Sequence, residues 1–155
     1  YYDDWGENDK YNKEMVDWNY TGPKETVNIF IKYEKNKDAL IFDAGCGTGL
    51  VGLELKKFGF KNFHGADLSQ KLLSTIPSNL YKKLLKSDLN EPINLKDDTY
   101  DAIFCVGTFT FGHVRPNALD EFIRITKKGG LICFTINEGI YSDYGFDKKI
   151  DDLKN

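Results

Sequence analysis

A chain of 155 residues, 41% hydrophobic and 29% charged, is one domain's worth of core-forming protein. Its net charge of −3, with lysine pairs at 56–57, 82–83, 127–128 and 148–149 scattered along the chain, argues against a protein built to coat nucleic acid. No apolar run reaches the ~18–20 residues of a membrane span, the start "YYDDWGENDK" is unlike a secretory leader, and Cys46, Cys105 and Cys133 are too dispersed for a disulfide framework or zinc site.

These features set the expectation of a reduced, cytoplasmic protein. Residues 1–22, dense in aromatics, Asp and Asn, are expected to form an irregular cover, with the folded domain running from 23 to 155. "PKETVNIFIKYEK" opens on Pro23, a favourable first-turn residue, and places Val27, Phe30 and Ile31 on one helical face. "ALIFD" (39–43) has the pattern of a buried strand. "LVGLELKKF" (50–58) predicts a helix with Leu50, Leu53 and Val51 turned inward, closed by Gly59. "NFHGAD" (62–67) is a second strand, and Ser69 is placed to cap a short helix that Pro77 ends.

"YKKLLKSD" (81–88) is a weaker third strand and "YDAIFCVG" (100–107) a strong fourth. The helix "PNALDEFIRIT" follows, with Leu119, Phe122 and Ile123 on one face. Gly129–Gly130 break the chain before a fifth strand, "LICFTIN" (131–137), and "DKKIDDLKN" begins another helix. Strands alternating with amphipathic stretches predict an α/β fold around a parallel sheet.

The chemistry concentrates in "IFDAGCGTG" (41–49). Gly47, Gly49 and Gly52 match the G-x-G-x-x-G spacing of a dinucleotide loop, and Asp67 follows Gly47 by 20 residues. The placement is awkward for that reading. Asp43-Ala44-Gly45-Cys46 stand between strand and loop, and a carboxylate beside a pyrophosphate is repulsive. Asp43 suits a cationic ligand instead. S-adenosylmethionine carries an ammonium and a sulfonium, no phosphate, and a carboxylate that helix-terminus N–H groups can hold.

With these residues in view, the sequence resembles the class I S-adenosylmethionine-dependent methyltransferases over nearly all its length. "LIFDAGCGTGLVG" (40–52) resembles their first motif, "GADLS" (65–69) the second, "KSDLN" (86–90) the third, "YDAIFCVGTF" (100–109) the fourth, and "ITKKGGLICFT" (125–135) the turn and strand closing the nucleotide half. The resemblance implies a three-layer Rossmann-like fold with a mostly parallel sheet and helices on both faces. It also implies cofactor contacts: Asp43, Gly45, Cys46, Gly47 and Gly49 at the methionine end, and Asp67 on the ribose hydroxyls with Leu68 against the adenine. Asp88 and the Leu89 N–H would meet the adenine edge, and Cys105, Val106 and Gly107 would lie near the methionine moiety.

A nearer resemblance, to the Williams-Beuren-region methyltransferase-like proteins and their bacterial relatives, rests on "YNKEMVDWNYTGP" (11–23) and "VGTFTFGHV" (106–114). It implies that the N-terminal segment folds over the cofactor through Tyr11. Trp5 is the weaker part of that match, because its spacing to Tyr11 departs from the pattern and Asn12 replaces an acid. The family's sheet has seven strands. Only five are placed here, so the last two are expected to be missing and the domain to be incomplete at its C-terminal end.

Methyl transfer from a sulfonium needs alignment, exclusion of water and, for some acceptors, a base. His113, in the segment after the fourth strand, is the candidate base, while His64 is expected to be structural. Phe109 and Phe111 suit either a substrate pocket or packing. "GTFT" (107–110) replaces the Asn/Asp-Pro-Pro-aromatic tetrad common among enzymes that methylate base or amide nitrogens, which points to a small-molecule acceptor and away from nucleic acid. Two alternatives remain open at this point: a non-catalytic S-adenosylmethionine-binding module and an NAD-dependent dehydrogenase.

Overall fold

Every strand expected from the alternating pattern forms, and the computed structural model describes residues 21–109, 116–136 and 145–153. Residues 1–20 of the expected cover, Trp5 and Tyr11 included, and the segment carrying His113 and Phe111 lie outside the described residues, while Gly22 already belongs to the first helix. The elements in order are α1 (Gly22–Tyr33), β1 (Ile41–Ala44), α2 (Leu50–Lys57), β2 (Phe63–Asp67) and α3 (Gln70–Ser74). They continue with β3 (Lys83–Lys86), β4 (Tyr100–Phe109), α4 (Ala118–Ile125), β5 (Thr126–Ile136) and α5 (Phe146–Leu153). No described helix is long and apolar enough to cross a membrane.

The sheet order is β3-β2-β1-β4-β5, and every pairing is parallel. β1 is central and buried along its whole length, as a strand covered on both faces must be. Alternation along the strands divides the core in two. Phe42, Ala44, Ile103 and Cys105 meet Leu119, Phe122 and Ile125 of α4 on one face. Ile41, Phe63, Ala102 and Phe104 meet Val27 and Phe30 of α1, and Val51 and Leu55 of α2, on the other. This is the three-layer α/β architecture expected, with five strands among the described residues.

Two helix faces differ from expectation. In α2 the inward residues are Val51, Gly52 and Leu55, while Leu53 is 38% exposed. The helix is rotated so that its glycine, and not a leucine, meets the bulk of Tyr81. In α4 the buried set is Ala118, Leu119, Phe122 and Ile125, leaving Ile123 at the flank, 46% exposed.

Gly129–Gly130 also act otherwise than as a simple break. β5 starts earlier, at Thr126, and the glycines fall where its register against β4 jumps from Tyr100↔Thr126 to Ala102↔Leu131. On the other flank of β4 the Asp101 and Ala102 N–H groups share the Leu40 carbonyl, at 2.8 and 3.4 Å. That is the signature of a bulge, and it explains why Tyr100 and Ala102 serve opposite cores.

The outer strand β3 exposes Lys83, Leu84 and Lys86, the lysines discouraging further pairing. At the opposite end of the sheet, α1 and β5 bound a groove of about 460 Å³ between Ile29, Tyr33 and Leu131–Thr135.

Candidate functional site

The strand order reverses between β1 and β4, and in parallel sheets such a reversal opens a crevice at the carboxyl ends of the strands. The expected site residues that are described fall on that rim. β1 ends at Ala44, and the next two N–H groups, of Gly45 and Cys46, both donate to the Ala66 carbonyl of β2 at 2.8 and 2.9 Å. The Gly47 N–H then donates to Oδ2 of Asp67 at 2.9 Å. Gly49 takes a positive φ of 91° to turn the loop into α2, whose first intrahelical bond runs from the Leu53 N–H to its carbonyl.

Asp67 is therefore the pivot between two loops. Its other oxygen accepts the Ser69 N–H at 2.9 Å, and Ser69 Oγ in turn accepts the Leu72 N–H, capping α3 as expected. The Asp67 carbonyl takes the Ser87 N–H, which draws the end of β3 to the same rim. Beside this anchored carboxylate Leu68 stands 61% exposed, an apolar side chain held toward solvent.

Further along, Asp88 closes its own turn by accepting the Asn90 N–H at 2.9 Å, with Leu89 buried beneath it. At the end of β4, Cys105 and Val106 are buried, and the Gly107 N–H donates to Thr135 Oγ1 of β5 at 2.9 Å. The expected contacts at Asp43–Gly49, Asp67–Leu68, Asp88–Leu89 and Cys105–Gly107 thus come from the ends of four strands. Tyr11 and His113 lie outside the described residues.

Asp43 is the unusual member. It is only 1% exposed, and its Oδ2 accepts the Tyr81 hydroxyl at 2.5 Å. Burial, reinforced by the Asp67 charge and opposed by the Tyr81 hydrogen bond, pushes its carboxyl up to about 7. The neighbouring Cys46 thiol is raised well above its ordinary value by burial and by both carboxylates, which makes it a packing group and not a nucleophile.

Tyr81, bonded to Asp43 at this rim, is a residue that sequence reasoning missed. A signal for it was present: Gly52 and Gly65 sit inside a helix and a strand, where glycine is unfavourable unless something approaches closely. His64 is structural, as expected. Its Nδ1 lies 2.9 Å from the Tyr100 hydroxyl, and burial together with Lys83 and Lys82 lowers its pKa.

Residues 42–134 match the model of the methyltransferase domain family. Human Methyltransferase-like protein 27 is 35% identical over 139 residues, covering 87% of this chain and 56% of that protein. An uncharacterized protein of Methanocaldococcus jannaschii is 31% identical over 155 residues, covering 93% of this chain and 65% of that one. The chain therefore spans between about half and two thirds of these relatives' length.

The malonyl-[acyl-carrier protein] O-methyltransferase of Pectobacterium atrosepticum is 31% identical over 105 residues, 66% of this chain and 41% of that protein. Among solved structures, a complex between the Haloferax volcanii Trm112 methyltransferase activator and a methyltransferase superposes with a TM-score of 0.71 at 19% identity, over 95% of this chain and 66% of that one. A SAM-dependent methyltransferase from Aquifex aeolicus gives 0.64 at 20% identity, over 82% and 77%.

Proposed function

Because the chain belongs to the class I S-adenosylmethionine-dependent methyltransferases, we propose that its rim of strand-end acids and glycines binds S-adenosylmethionine and directs its methyl group to a small-molecule acceptor. The observation that carries this reading is Asp67. Its carboxylate is anchored to the glycine loop through Gly47 and to the next helix through Ser69, next to an exposed leucine. A carboxylate fixed by backbone donors beside an apolar face suits a nucleoside, whose ribose hydroxyls donate and whose base stacks.

When bound, the cofactor supplies a methyl group on a sulfonium, a good leaving group, so the protein need not form a covalent intermediate. What the protein supplies is position and environment. Asp67 accepts from the ribose hydroxyls, Leu68 packs on the base, and Asp88 with the Leu89 N–H reads its edge. The Gly45–Gly49 backbone and the buried Asp43, Cys46 and Cys105–Gly107 surround the methionine end, where Asp43 complements the ammonium. His113 is assigned to removing the acceptor's proton, and Tyr11 of residues 1–22 to covering the cofactor against water. In this reading the protein works in a reducing, cytoplasmic setting, with its three cysteines kept out of disulfides.

The small-molecule acceptor is supported by the acidic balance of the sequence and by "GTFT" at 107–110. The relatives do not choose for it, because they include a lysine methyltransferase as well as O-methyltransferases of malonyl-[acyl-carrier protein] and of ubiquinone biosynthesis.

Isothermal titration with S-adenosylhomocysteine, with NADH in parallel, is the decisive measurement. Micromolar binding of the first and none of the second is expected; binding of NADH alone would overturn the reading in favour of a dehydrogenase. An acceptor screen follows, with His113→Ala included. That variant should keep its affinity for S-adenosylhomocysteine and lose turnover. Binding without turnover on any acceptor would leave a cofactor-holding module.

A further inference from the structure

Gly49, Gly52 and Gly65 come from a loop end, a helix and a strand, yet all three approach one aromatic ring. A Cβ on Gly52 would lie 2.6–2.8 Å from the Tyr81 ring and hydroxyl, and one on Gly65 would lie 2.9 Å from the ring's opposite edge and from Cys46 Sγ. On Gly49 it would come to 3.3 Å. Phe63 packs edge-on against the same ring at 4.9 Å. The ring is thus confined from several sides, which fixes where its hydroxyl is presented.

That position has two uses. The hydroxyl donates to Asp43 Oδ2 at 2.5 Å and accepts the Gly52 N–H at 3.1 Å. Gly52 is the third residue of α2, and its N–H is one of those a helix start leaves without an intrahelical partner. An N-cap side chain ordinarily satisfies such a group. Here the N-cap is Gly49, which has none, and a hydroxyl from 29 residues further along takes its place.

We infer that Tyr81 is a positioning residue for the methionine end of the site, holding the Asp43 carboxylate and the start of α2 in one fixed relation, and that Gly52 and Gly65 serve to admit its ring. The part concerning ligand affinity rests on the assignment of Asp43 to the cofactor's ammonium; the part concerning Asp43 itself does not. Among the described residues, the charged or titratable groups that influence Asp43 are Tyr81 and Asp67, and Cys46 adjoins them. Of these only Tyr81 favours the carboxylate form, so loss of its hydroxyl leaves burial and Asp67 unopposed.

Two measurements on Tyr81→Phe separate the parts. The first is a ¹³C NMR titration of the Asp43 carboxyl in unliganded protein, expected to shift upward by on the order of one pH unit. An unmoved midpoint overturns the positioning role. The second is the affinity for S-adenosylhomocysteine, expected to fall about threefold near pH 7.5 and less than about twofold near pH 8.5, as Asp43 ionises again. A shifted titration with unchanged affinity upholds the Tyr81–Asp43 coupling and overturns the assignment of Asp43 to the ammonium.

The glycines supply an independent check that does not require the hydroxyl. Gly52→Ala should lower Tm in the Tyr81 protein, where the new methyl collides with the ring. In a Tyr81→Ala background the same change should leave Tm unchanged or raise it, because alanine is the better helix former. An equal drop in both backgrounds overturns the claim that Gly52 serves the ring.

Discussion

Asp67 spends its carboxylate on the protein's own backbone before any ligand arrives. One oxygen receives Gly47 of the glycine loop and the other receives Ser69, the cap of α3. A nucleoside binding there would add to an acceptor already aligned, so little ordering entropy is lost on binding. Asp67→Ala should remove two charge-assisted hydrogen bonds to ribose and weaken S-adenosylhomocysteine by on the order of 2–4 kcal/mol in a calorimetric titration. The loss should exceed that of a ligand contact alone, since the Gly47 N–H is set loose as well. Unchanged affinity would remove Asp67 from the site.

At the level of elements, α4 does more than cover the sheet. Arg124 Nη1 and Nη2 donate to the Leu95 and Ile93 carbonyls at 2.7 and 2.8 Å, while Glu121 Oε1 accepts the Ile93 N–H at 2.8 Å. Arg124 Nε also bonds Glu121 at 2.5 Å, and that hydrogen bond is the main reason the Glu121 carboxyl lies below its ordinary range. One helix therefore pins, from behind, the stretch that follows Asp88 and Leu89. Arg124→Ala should cost about 1–2 kcal/mol in denaturant unfolding, because the hydrogen bonds to Leu95, Ile93, Glu121 and Asp97 all go but the group is partly exposed. Arg124→Lys should recover only part of this, as an ammonium lacks the planar fork that reaches two carbonyls. Full recovery with lysine would show that charge alone matters there.

For the molecule as a whole, Asp43 links the site to stability. Its carboxyl sits at about 7 in the folded protein against 3.8 ordinarily, so between those values the native state binds a proton that the unfolded state has released. Stability from this group is present below the lower value and is lost as pH rises through the upper one. Asp43→Asn, which cannot ionise, should escape that loss. Its Tm relative to the parent should therefore improve from about pH 5 to about pH 8, whatever the absolute difference. A difference independent of pH would contradict a buried, strained carboxylate. The site in this picture is maintained at some cost in stability, as is common where charge must be kept out of water.

The strands, their parallel pairing and the acids at their ends were legible from local patterning: short apolar runs such as "LIFD" and "AIFCV" tolerate burial on both faces, and Asp43, Asp67 and Asp88 each stand where such a run stops. Ser69 as a cap followed from its type and position alone. Helix faces were less legible. α2 and α4 are eight residues each, too short for periodicity to distinguish Leu53 or Ile123 from their inward neighbours. Tyr81 reads as the first residue of the third strand, which in fact starts at Lys83, and nothing in its own surroundings points to Asp43 or Gly52. Its partners lie 38 and 29 residues away, on elements that meet only once β1 and β2 are paired and α2 is laid across them. Local chemistry thus settles which residues can serve a strand, a cap or a carboxylate site. The ionisation of Asp43, the capping of α2 and the purpose of Gly52 and Gly65 were decided only by packing, because each depends on a distance between groups that the order of residues does not contain.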